Sequence, residues 1–158
     1  MRDLRWLARS LLCATWMTDP SVGDLLDGYR LTDVVSRGGM ATIFKAIDTR
    51  SGATVALKVP YLQYEIDVVS FARFEREEKI GRSVLHPNVV RVLEAGAKSR
   101  PYLVMEYVEG TPLSAILRDQ GRLSSGAALD VARQVCDALA CLHGEGIVHR
   151  DLKPRTSS

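Results

Sequence analysis

The sequence predicts an α+β fold, and three observations predict it. Three short β-rich runs follow one another through tight connections: Tyr29–Arg37 (YRLTDVVSR), 42–48 (TIFKAID) and 54–59 (TVALKV). That is the pattern of an antiparallel meander. Between residues 69 and 84 the apolar spacing changes to a helical one, with Phe71, Phe74, Ile80 and Val84 set among many charges. Two more strand-like runs and then two helical runs complete the order. Strands first with one helix inserted, and helices after, describe an α+β arrangement.

Each element has a local reason. Tyr29–Arg37 alternates loosely and is rich in β-formers. Gly38 and Gly39 interrupt it, and TIFKAID resumes it. The cluster 48–52 (DTRSG) is a turn, and TVALKV is the third strand. The helix over 69–84 ends at His86-Pro87-Asn88, because proline disfavours a helical conformation in the residue before it. NVVRVLEAG and PYLVMEYV read as the fourth and fifth strands, and Gly110-Thr111-Pro112 ends the fifth. LSAILRDQG is a short helix, and Ser124 or Ser125 caps a longer one reaching about His143. The apolar face of that helix carries Ala128, Leu129, Ala132, Val135, Cys136, Leu139 and Leu142, widened by Val131 and Ala138. So apolar a helix is expected to be buried on more than one side.

With 158 residues the chain can bury one real core. Its formal net charge of +2 argues for neither nucleic acid nor an acidic membrane as partner. Cys13, Cys136 and Cys141 form no CxxC pair and no Cys/His ligand spacing, so neither zinc nor a disulfide framework is implied. A reducing, cytoplasmic setting is the default expectation. No apolar run reaches the roughly 18 residues of a membrane span. At the N-terminus Arg2, Arg5 and Arg9 alternate with Leu4, Leu7, Leu11 and Leu12. This reads either as a weak signal peptide or short basic amphipathic helix, or as a leader before a natural start at Met17. The expected organisation is a poorly ordered leader or mis-assigned start over 1–26, a sheet-bearing unit over 27–108, and helices with a charged loop over 109–158.

Three motifs could carry chemistry. SRGGMATIF (36–44) joins two strands through glycines, whose backbone can approach a phosphate closely; an ordinary hairpin turn has the same look. No GK[ST] follows, so it is not a P-loop. Lys58 lies in an otherwise apolar strand. It either snorkels to water at an edge or is held by a partner. Glu77 on the following helix can face the sheet as that partner, with Glu75 and Glu78 expected to be solvated. HRDLKP (149–154) sets an aspartate in a tight loop, with an arginine before it and a lysine two residues after. Such an aspartate can accept a hydroxyl proton while the lysine steadies an anion. The apolar Gly146-Ile147-Val148 before it is expected to approach from a partly buried position.

In type and order, the glycine turn, VALK strand, helical Glu, HPN break, MEYV strand and HRDLKP resemble the protein kinase signature set. The GGM turn, KAID and HPNVV look like bacterial serine/threonine kinases of the eukaryotic-like (Hanks) type, and DLKP implies serine or threonine as acceptor. The resemblance spans 27–154 and implies a kinase-like N-lobe of five antiparallel strands and one helix, then a hinge and the first helices of a helical lobe. It implies ATP as cofactor and a protein substrate. By this resemblance the backbone around Gly38, Gly39, Met40 and Ala41 covers the ATP phosphates, and Val35, Ser36 and Arg37 before it belong to the cofactor-binding set. Lys58 holds the α- and β-phosphates and pairs with Glu77. Ile43 and Ala56 sandwich the adenine, Met105 is the gatekeeper, and the backbones of Glu106 and Val108 meet the adenine edge. Asp151 orients and deprotonates the acceptor hydroxyl, Lys153 neutralises the γ-phosphate, and Arg150 fits a kinase activated by phosphorylation of its activation loop.

The sequence departs from that pattern in places. Ser36 and Ala41 replace the first and third loop glycines, which implies weaker nucleotide binding. The family's magnesium-binding asparagine falls at Thr156, and no DFG aspartate is present. Magnesium is expected for the family, but these residues supply no ligands for it. The expectation is therefore a truncated, inactive fragment of a kinase, with self-association through the apolar helix 124–142. The rival expectation is a non-catalytic ATP-binding or interaction module.

Overall fold

The computed structural model describes residues 18–65, 68–149 and 152–153, leaving aside the side chains of Val68, Phe71 and Arg73. The basic N-terminal segment before Thr18, the catalytic candidate Asp151, its neighbour Arg150 and Thr156 lie outside the described residues, as does the Phe71 side chain.

Six strands form one antiparallel sheet: β1 (Leu25–Leu26), β2 (Tyr29–Arg37), β3 (Ala41–Asp48), β4 (Thr54–Pro60), β5 (Val92–Leu93) and β6 (Leu103–Glu106). Their order across the sheet is β1-β2-β3-β4-β6-β5. The strand beyond the five expected is β1, which pairs with the start of β2. Residues 18–26 thus enter the fold: Gly23 N–H also donates to the Leu31 carbonyl at 2.8 Å. β5 is far shorter than NVVRVLEAG suggested. The Arg91 N–H goes to the Glu106 side-chain carboxylate at 2.8 Å instead of to a backbone carbonyl of β6, and the strand pairing begins at Val92.

Period-2 alternation divides the sheet into two faces. Tyr29, Leu31, Phe44, Ala46, Val55, Leu57, Val59, Tyr102 and Val104 form one buried cluster. Tyr29 and Tyr102 meet edge to face with centroids 6.1 Å apart. Burial pushes the Tyr102 phenol well above its usual range, and its hydrogen bond to Asp27 adds to that. The intervening residues face the other way, and the register sets them side by side: Ile43 opposite Lys58, and Ala56 opposite Met105.

Four helices follow: α1 (Leu62–Glu65), α2 (Val68–Ser83), α3 (Leu113–Gln120) and α4 (Ser125–Gly144). In α2 the apolar stripe buries Phe74, and Val84 is buried just past its end. Gly81 lets the helix come close to β5, because a Cβ there would lie 2.3 Å from Val92 Cγ2. Ser124 caps α4, its Oγ accepting from the Ala127 N–H at 3.2 Å. The expected burial of α4 on more than one side is not found. Only Ala138 is buried and Leu129 is 71% exposed. α4 is tied to the 87–90 segment, where Asn88 Nδ2 donates to the Gln134 carbonyl at 3.2 Å. The approach to the HRDLKP loop is buried only in part: Ile147 is half-buried, whereas Gly146 is exposed and Val148 is 62% exposed. Among the described residues no helix is long and apolar enough to cross a membrane.

Candidate functional site

Lys58 and Glu77 come together. Lys58 projects from β4 on the face opposite the core, and its Nζ lies 2.5 Å from Glu77 Oε1 on α2. A lysine in the apolar strand VALKV therefore has its partner. The pair is not sealed off: the side chains keep 27% and 51% of their surface. Glu78 corrects the expectation of a solvated carboxylate. Its Oε1 receives Lys98 Nζ and Arg82 Nη2, each at 2.6 Å, which ties α2 to the 97–100 segment.

Beside this pair opens a cavity of about 380 Å³. One wall is the β2–β3 turn with Ser36, Gly38, Gly39, Met40 and Ala41; the rest is Ile43, Lys58, Glu77 and Met105. Nine predicted residues thus share one cavity. Ala56 lies next to Met105 in the register and is buried. Val35, Arg37, Glu106, Val108 and Lys153 do not line this cavity. Glu106 and Val108 instead border a larger groove of about 540 Å³ shared with α4 and His149. Lys153 is exposed, and Asp151 is outside the described residues.

The turn and hinge have supports that the motifs did not announce. The Gly38 N–H donates to the Ala41 carbonyl at 2.9 Å, closing the turn. Tyr61 donates its N–H to the Met40 carbonyl at 3.0 Å and its hydroxyl to the Gly38 carbonyl at 3.0 Å. At the hinge, the Glu106 N–H donates to the Arg91 carbonyl at 3.0 Å, while the Glu106 carboxylate takes the Arg91 N–H. Lys45 stands 4.6 Å over the Tyr107 ring. Tyr61 follows a strand as an ordinary aromatic would, and Arg91 acts through its backbone, so neither had a readable signal.

The cavity fits a nucleotide on its donor set: a lysine ammonium at the wall, a glycine turn beside it, and apolar Ile43 and Met105 for a flat ring. A Cβ at Gly39 would meet nothing within 4 Å, so there is open space at the turn. Among the described residues no group of three His, Cys, Asp or Glu side chains gathers, and none is assigned to magnesium.

An antiparallel sheet, a helix delivering a glutamate to a strand lysine, and a glycine turn beside them have the architecture of a protein-kinase N-lobe. Residues 29–156 match the family described as the protein kinase domain, and the chain belongs to that family. It lies on the side of the bacterial serine/threonine kinases. The serine/threonine-protein kinase PknA of Mycobacterium tuberculosis is 39% identical over 142 residues, covering 85% of this chain and 33% of PknA. A probable serine/threonine-protein kinase PknB of Lactococcus lactis is 36% identical over 131 residues, covering 82% of this chain and 21% of that protein. The chain therefore spans a third or less of these curated relatives. The crystal structure of the Mycobacterium tuberculosis PknI kinase domain superposes with a TM-score of 0.71 over 86% of this chain and 56% of that one. Its identity is 24%, so that likeness speaks for the fold. The family as a whole uses ATP and magnesium.

Proposed function

We propose that this chain carries the nucleotide-gripping part of an ATP-dependent serine/threonine protein kinase. The observation that supports it is the 2.5 Å Lys58–Glu77 pair at the wall of the glycine-turn cavity. Lys58, steadied by Glu77, holds the α- and β-phosphates; the turn from Val35 to Ala41 covers them. Ile43 and Ala56 flank the adenine, and Met105 closes the back. The Glu106 N–H is already given to Arg91, so the adenine edge meets the Glu106 carbonyl and the Val108 backbone. When bound, ATP supplies the γ-phosphoryl group that passes to a serine or threonine hydroxyl. Asp151 accepts the hydroxyl proton and Lys153 balances the γ-phosphate charge. The metal-binding asparagine and DFG aspartate of the family do not occur in these 158 residues. On their own they are therefore expected to bind nucleotide without transferring phosphate. A reducing, cytoplasmic setting goes with this reading, with Cys136 and Cys141 as free thiols.

Titrating the chain with ATP, with and without magnesium, tests the reading. Lys58→Met removes a charge-assisted contact and should weaken binding about tenfold or more. No binding by the wild type, or equal binding by the variant, would overturn it. Tight, magnesium-independent binding by a monodisperse protein would instead favour the non-catalytic module. Phosphorylation of a generic protein substrate that vanishes in Asp151→Asn would refute the expected inactivity.

A further inference from the structure

We infer that Tyr61 is a positioning residue for the phosphate-covering turn, a role that rests on the nucleotide reading above and goes beyond it. Tyr61 directly follows Pro60, the last residue of β4. It holds the turn twice: its N–H donates to the Met40 carbonyl and its hydroxyl to the Gly38 carbonyl, each at 3.0 Å. The first bond continues the β3–β4 ladder beyond the Ala41–Pro60 pair. The second reaches across β3 and comes from a definite side of the sheet. Thr42 Oγ1 donates to the same hydroxyl at 3.4 Å. Thr42 is buried and alternates with Phe44 and Ala46 on the core side. The phenol is therefore on the core side, while Ile43 and Lys58 face the cavity.

This settles which way one peptide group points. No peptide bond among the described residues is cis. In a trans peptide the carbonyl and the next N–H point in opposite directions. Drawing the Gly38 carbonyl to the core side turns the Gly39 N–H toward the cavity side, where Lys58 stands. Gly39 is exposed, which leaves that N–H open to an anion. Ser36 and Ala41 stand where the family has glycines. The Tyr61 hydroxyl holds the Gly38 carbonyl of this peptide. An outward-turned Gly38 carbonyl would instead present a partial negative charge to a polyphosphate.

The test compares wild type and Tyr61→Phe in binding adenosine and ATP. Adenosine uses the ring pocket and not the turn, so its affinity should change less than twofold. ATP affinity should fall about fivefold, the effect of one neutral hydrogen bond. In the free protein, exchange of the Gly39 amide should also change in the variant, while the β3–β4 ladder keeps its protection. Unchanged ATP affinity with unchanged Gly39 exchange overturns the inference. Equal losses for adenosine and ATP overturn it as well, because they would mark a general structural role. If the wild-type chain binds neither ligand, the nucleotide reading fails first and the inference falls with it. The two failures are distinguishable, since the former appears in the wild type and the latter only in the variant.

Discussion

Gly81 offers a test in which two helix rules compete. Replacing a helix-interior glycine by alanine ordinarily stabilises by about 1 kcal/mol. At Gly81 the new Cβ would stand 2.3 Å from Val92 Cγ2 and 3.2 Å from Val92 Cβ. No rotamer of a stiff, β-branched valine readily clears both contacts, and overpacking costs about 1–3 kcal/mol. Gly81 lies two residues from the end of α2 at Ser83, so the propensity gain is at the low end. The clash wins, and Gly81→Ala should destabilise by about 1 kcal/mol. In a Val92→Ala background the 2.3 Å contact is gone and only the 3.2 Å approach to the Cβ remains. The same substitution should there be close to neutral, the propensity gain of about 0.5–1 kcal/mol offsetting the residual contact. Urea unfolding followed by far-UV circular dichroism reads all four proteins. Gly126→Ala in α4, where a Cβ meets nothing within 4 Å, serves as control and should not destabilise. Gly81→Ala stabilising equally in both backgrounds would refute the reasoning. It would mean that α2 does not rest on β5.

Arg100 is 7% exposed; it donates to the Glu65 carboxylate, to the Thr18 carbonyl at 3.0 Å and to the Pro60 carbonyl at 3.5 Å. Arg100→Met should cost about 3–5 kcal/mol, because it leaves Glu65 unpaired. Adding Glu65→Leu should recover part of that loss in a double-mutant cycle. Asp48 accepts from the Arg50 N–H at 3.0 Å and then from its guanidinium, which hold its carboxyl below the usual 3.8. A lowered folded value means the contribution is present above pH 3.8 and is lost as the pH falls through the folded value. Asp48→Asn should therefore flatten the acid limb of the urea midpoint below that pH and nowhere else. Glu77→Gln should change stability by less than about 1 kcal/mol, as for other exposed pairs, yet weaken ATP binding. Phe74→Ala should cost about 3–5 kcal/mol, measured in the same unfolding experiment.

Most of the sheet was legible because its code is local. Period-2 alternation and turn chemistry fixed β2, β3 and β4 within a residue or so. The cap of α4 was readable to one of two serines, Ser124 or Ser125, and it is Ser124. What the sequence hid was contact at a distance. β1 is only Leu25 and Leu26, too short to show a period. α1 is a single turn with no apolar stripe to announce it. Glu78 lies one residue from Glu77 and differs only in what meets it, Lys98 being twenty residues away. In α4 the pattern correctly gave an apolar face, but a pattern states what a face prefers and not what covers it. The gathering of Lys58, Glu77 and the glycine turn at one cavity was legible through the spacing of residue types, whereas the supports at Tyr61 and Arg91 act largely through backbone groups that every residue possesses.

Magnitudes decide what positions Glu77. A pair whose carboxylate is half exposed contributes at most about 1 kcal/mol. Burying Phe74 and Val84 contributes about 1.5–3 kcal/mol each. The Gly81–Val92 contact then fixes how close α2 can come to the sheet. Glu78 adds two charged contacts on the same helix. Packing therefore sets the helix, and the Lys58–Glu77 pair follows from it. The lysine stays where the β3–β4 register puts it, while the glutamate moves with α2. The 2.5 Å separation is thus a gauge of the helix's position over the sheet, and anything that shifts α2 changes the site without touching a ligand-contacting residue.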